Sequence, residues 1–78
     1  MLQDETELML NEKLYLFSEV AKTGMLPYGE TYMSIWRYTH DGRVNRSGVT
    51  VFLGYLKTPS GLATSKEACQ RFIRDLNT

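Results

Sequence analysis

The sequence predicts one small α+β domain, built from two short helices, a two-stranded hairpin and a closing helix. Three observations carry this expectation. Cys69, Phe72, Ile73 and Leu76 recur at i, i+3, i+4 and i+7, the stripe of an amphipathic helix. Residues 31–42 lie between a capping threonine, Thr31, and a glycine stop, Gly42. Residues 49–57 alternate in polarity and run into Thr58-Pro59-Ser60-Gly61, a turn by composition.

The elements follow in chain order. Residues 1–13 are acidic, with Leu2, Leu8, Met9 and Leu10 among them, and read as an N-terminal arm, helical or disordered, ahead of a domain over 14–78. Leu14-Tyr15-Leu16 is a short apolar run. Ser18 then caps a short helix that turns Val20 and Ala21 inward and ends at Gly24. Pro27 forbids a helix through the connection that follows. The 31–42 helix comes next, with Ile35 and Trp36 expected in the core.

Beyond it, residues 43–48 read as a polar loop with two arginines. Val49, Val51, Leu53 and Tyr55 fall on one face of a strand that returns through Leu62-Ala63. Thr64 and Glu67 have capping-box spacing and open the last helix. Ala68 widens its apolar stripe; Lys66, Gln70, Arg71, Arg74 and Asp75 take the solvent side. The expected core is Leu16, Val20, Ala21, Ile35, Trp36, Val49, Val51, Leu62, Ala68, Phe72, Ile73 and Leu76. Tyr15, Phe17, Tyr28, Phe52 and Tyr55 exceed what such a core holds, so some should form an exposed patch.

Charge and composition narrow the function classes. The formal net charge is zero, but residues 1–30 hold six carboxylates against two lysines, and residues 31–78 seven basic groups against three acidic ones. Such asymmetry can turn a basic face toward a polyanion. Met1 leads into an acidic stretch with no signal-peptide pattern, and no apolar run is long enough to span a bilayer. A soluble, cytoplasmic protein is expected.

Catalytic constellations are scarce. His40 is the single histidine and Cys69 the single cysteine, which leaves no disulfide, no zinc set and no paired acid–base histidines. No serine sits in a nucleophile elbow, and the glycines are not gathered into a phosphate cradle. His40 reads as a helix-end residue near C-terminal carbonyls, and Cys69 as a small buried hydrophobe. The expectation is a non-enzyme with no cofactor, no metal and no small-molecule ligand.

The positive signal lies in 31–42. A solvated helix face favours Glu, Lys, Gln and Ala, whereas this one carries Tyr32, Met33, Ser34, Arg37, Tyr38 and His40. In a helix-turn-helix, the start of the second helix reaches base edges. Those positions are Tyr32, Met33, Ser34 and Arg37, with Arg43, Arg46 and Lys57 placed for phosphates. Arginine can pair bidentately with guanine, serine can donate or accept, and Met or Tyr can meet a thymine methyl.

The Ser18-Glu19-Val20-Ala21 start, the Ser34-Ile35-Trp36-Arg37-Tyr38 segment and the run from Thr64-Ser65-Lys66-Glu67-Ala68 to Gln70-Arg71-Phe72 together carry a resemblance. Over about residues 14–77 the chain resembles a small uncharacterised bacterial domain family. That family is similar to the excisionase and MerR type of winged helix-turn-helix. The resemblance implies that the 31–42 helix is a recognition helix and the hairpin a wing. It further implies binding of double-stranded DNA by a transcriptional regulator or an excisionase-like accessory factor. A neutral monomer with about four phosphate contacts binds weakly, so homodimerisation or cooperative assembly along DNA is expected with it. The alternative is a protein–protein adaptor that uses an aromatic surface on the same fold.

Overall fold

The computed structural model describes residues 5–26 and 31–78. It is a small α+β domain with four helices and two antiparallel sheets among those residues. The chain runs α1 (Glu5–Met9), β1 (Leu14–Leu16), α2 (Phe17–Thr23), α3 (Tyr32–His40), β2 (Arg43–Val44), β3 (Thr50–Val51), β4 (Leu56–Thr58), β5 (Gly61–Ser65) and α4 (Lys66–Leu76). The connection through Pro27 and Tyr28, like Leu2, lies outside the described residues.

The predicted hairpin over 49–63 is two hairpins. β3 turns back on β2, pairing Arg43 with Val51 and Val44 with Thr50. β4 pairs with β5 through the Thr58-Pro59-Ser60-Gly61 turn, as its composition suggested, and β1 adds to the far side of β5 in the order β1-β5-β4. Between β3 and β4 the strand is interrupted. Leu53 is buried at 1% exposure beside an exposed Phe52, and the Leu53 amide donates to the Tyr38 carbonyl of α3 at 3.0 Å. Gly54 lets the Glu5 carboxylate lie where a Cβ would stand. Alternation was therefore right for the inward Val51, Leu53 and Tyr55, and wrong for Val49, which is 58% exposed rather than core.

The core centres on Phe17, Val20, Leu26, Ile35, Leu53, Cys69 and Phe72. α4 supplies the predicted stripe, with Ala68, Cys69 and Phe72 fully buried and Ile73 and Leu76 against them. Met9 of α1 is also buried, at 1% exposure. Burial pushes the Cys69 thiol up to about 11, because a thiolate there would lose its water.

Two caps move by one or two residues. α2 starts at Phe17 behind Leu16, whose amide donates to Glu19 Oε1 at 3.3 Å; Ser18 is an exposed residue inside the helix, not its cap. α4 is capped by Ser65, whose hydroxyl accepts the Ala68 amide at 2.9 Å. Thr64 forms no capping box. It lies inside β5, wholly buried, and donates to the Gly54 carbonyl at 2.7 Å.

Arg71, expected on the solvent side, is drawn inward. Its guanidinium donates Nε to Glu5 at 2.9 Å and Nη1 to Glu12 at 2.7 Å, with side-chain exposure of only 22%. Ser65 also donates to Glu12 at 2.6 Å. Arg71 beside it holds the Glu12 carboxyl below its ordinary value. Two of the acidic charges of the N-terminal segment are thus spent on one of the basic charges of α4.

Candidate nucleic-acid interface

α3 is the element around which the candidate residues gather. Thr31 caps it, its hydroxyl accepting the Ser34 amide at 3.2 Å, and Gly42 leaves it at φ 71°. Its inward stripe is Ile35, Tyr38 and Thr39, with the Tyr38 ring 5.3 Å from that of Phe72. A helix turns about 100° per residue, so Trp36 points away from the direction of Ile35. Trp36 is half-buried and stands outside the core cluster, contrary to its sequence assignment. Its indole lies flat against the His40 ring one turn on, at 3.9 Å and 12°.

The outward face carries most of the predicted reading edge. Tyr32 and Met33 are 46% and 55% exposed, and Arg37 is exposed. Tyr32 keeps one contact with the core, its ring 5.7 Å from that of Phe17. Ser34 differs. It is half-buried, its amide goes to Thr31, and its hydroxyl pairs with that of Thr31 at 3.0 Å, so it serves the cap.

The predicted phosphate contacts divide between the two hairpins. Arg43 lies on β2 and donates to the Tyr38 hydroxyl at 3.4 Å; Arg46 lies in the β2–β3 turn. Together with Val44, Asn45, Leu76 and Asn77 they line a shallow depression of about 380 Å³. Asn45 shapes that turn: its Oδ1 accepts the Ser47 and Val49 amides, both at 2.9 Å, and its Nδ2 donates to the Asp75 carbonyl at 3.1 Å. Lys57 is exposed on β4, the edge of the other sheet.

Of the surplus aromatics expected to be exposed, Phe52 is, at 52%, with Val44 at 62% and Val49 also exposed on the β2–β3 side, while Phe17 is wholly buried. The feature that escaped the sequence reading is the ring series on α3. Tyr32, Trp36 and His40 stand at i, i+4 and i+8, a spacing that could have revealed one stripe. His40 sits between Trp36 and Tyr55, 5.5 Å away at 29°. Among the described residues, no three His, Cys, Asp or Glu side chains gather as a metal would require, and no helix is long and apolar enough to cross a membrane. Compared with family models, with curated proteins and with solved structures, the chain matches none.

Proposed function

We propose that the protein binds double-stranded DNA as a small winged helix-turn-helix, with α3 as its recognition helix, in transcriptional regulation or as an excisionase-like accessory factor. The observation that carries this reading is the outward face of α3, where Tyr32, Met33 and Arg37 are exposed on a helix capped at both ends. A solvated face has no need of such residues, whereas a major groove accepts them. The strand order adds support, because β1 precedes the helix pair and joins the β4–β5 hairpin after it, as a wing would require.

The charge available is modest. Arg71 is consumed by Glu5 and Glu12 and Arg43 donates to the Tyr38 hydroxyl, so Arg46 and Lys57 carry most of the phosphate contact beside the reading edge at Arg37. Affinity is therefore moderate and salt-sensitive, and pairing of copies on DNA would raise it. The test is fluorescence anisotropy of a labelled duplex at low salt. Arg37→Ala combined with Arg46→Ala lowers affinity by about tenfold or more, and the lost Arg46 phosphate contact removes about 0.9 from the salt slope. Unchanged binding by that double variant would sink the reading.

One observation favours a second reading, an adaptor that binds a protein. Val49 and Phe52 are exposed and line one shallow depression beside a hairpin that no third strand covers. Binding through that depression would respond little to salt; Val49→Asp would abolish it and leave DNA affinity nearly intact.

A further inference from the structure

Exposed side chains are ordinarily free to turn, yet His40 is held on every side but one. Its ring is stacked on Trp36 and faced by Tyr55. Its Nδ1 lies 3.0 Å from the Trp36 carbonyl and 2.7 Å from Thr39 Oγ1. The Thr39 hydroxyl spends its proton on the same Trp36 carbonyl, at 2.6 Å. A carbonyl only accepts, so the arrangement is consistent when Nδ1 carries a hydrogen and donates. Nε2 has no partner among the described residues, on a residue that faces solvent. The result is an aimed ring with one nitrogen open. Holding a surface ring this way removes entropy that a contact would otherwise have to overcome.

We propose that His40 is a DNA phosphate contact that works as an imidazolium: Nδ1–H stays on the Trp36 carbonyl and Nε2–H donates to a backbone phosphate oxygen. The inference rests on the DNA reading and adds to it a residue, a ligand atom and a proton. Both ring nitrogens must be donors in the bound state, so binding takes up one proton from solvent wherever the free ring is neutral. Placement favours a phosphate over a base edge, because His40 ends α3 while Tyr32 and Met33 begin it. Tyr55 faces the ring, and the charged groups nearest to it along the chain are Arg37, Asp41 and Arg43; Glu5, over Gly54, is bound to Arg71. The cationic end of the contact is compatible with the carbonyl-rich end of the helix and with the indole face beneath it.

The chain has a single histidine, so substitutions at position 40 isolate the imidazole contact from every other side chain. The experiment measures duplex affinity by anisotropy against salt and against pH, from about pH 8 to about pH 5.5, for the wild type, His40→Asn, His40→Lys and Arg37→Ala. Far-UV circular dichroism checks that each variant folds. Asparagine keeps a donor near the Trp36 carbonyl and removes the outward nitrogen; lysine keeps a cation that no longer titrates in this range. Wild-type affinity is expected to rise about tenfold on acidification, in line with a charge-assisted hydrogen bond. His40→Asn loses that rise and about 0.9 of the salt slope at low pH, and His40→Lys binds well at both ends of the range. A wild type that binds DNA with no pH dependence, or a His40→Asn that matches it while Arg37→Ala fails, overturns the histidine contact and leaves the DNA reading standing. A wild type that binds no duplex at low salt overturns both.

Discussion

The two hairpins of this domain are of similar size and opposite character. β4–β5 is built into the fold: β1 covers its inner edge, Ala63, Thr64 and Ser65 are buried, and the Thr64 hydroxyl reaches back to Gly54. β2–β3 has no third strand, and its residues are exposed or half-buried. Asn45, bonded to the Asp75 carbonyl, fastens its turn to α4. One ribbon is held by apolar burial and the other by a few polar bonds. A ribbon that keeps Val44 and Val49 in solvent adds little apolar burial to stability.

That contrast can be broken most severely where the hairpins meet the core. Leu53→Ala removes a side chain at 1% exposure between them and should cost about 2–5 kcal/mol, read as a lower urea midpoint. Gly42→Ala strikes the root of β2–β3. It needs φ 71°, and a Cβ there would stand 2.8 Å from the Val51 carbonyl, so a loss of about 1–3 kcal/mol is expected. Val49→Thr should change stability by less than about 0.5 kcal/mol. An equal loss at positions 49 and 53 would show that the exposed ribbon shares the core's cooperativity.

Acid offers a subtler probe. Arg71 and Ser65 lower the Glu12 carboxyl in the folded state relative to its ordinary 4.5. The stabilisation is therefore complete above about pH 4.5 and is lost as the pH falls through the lower folded value. Amide exchange below that pH should quicken first in α1 and at the β5–α4 junction, where Ser65 meets Glu12. Glu12→Gln should weaken the wild type's acid sensitivity. Faster exchange confined to β2–β3 would contradict this assignment.

Local signals gave what local physics determines. The α4 stripe, the Thr31 cap, the Gly24 and Gly42 stops and the Thr58-Pro59-Ser60-Gly61 turn are each set by neighbours within a few residues. What escaped depends on residues far apart in the chain. Arg71 has a solvent-side spacing, but its partners lie 59 and 66 positions away. The strand from Val49 stops because Leu53 bonds to α3 and Glu5 occupies the space beside Gly54. Trp36 was drawn to the core by its size and its neighbour Ile35, although consecutive helix positions diverge. At the candidate site, Tyr32, Met33 and Arg37 were legible as outward-facing; the turning of Ser34 into its own cap and the locking of His40 were not.

Cys69 gives the domain a clock. It is the only thiol in the chain, buried to 1% exposure where α4 meets the core, and burial keeps it protonated at neutral pH. A soluble disulfide reagent can reach it only when that packing opens. With reclosure faster than labelling, the colour released over time counts the open population of α4 directly, and with it the standing of the hydrophobic core in a single mixing experiment.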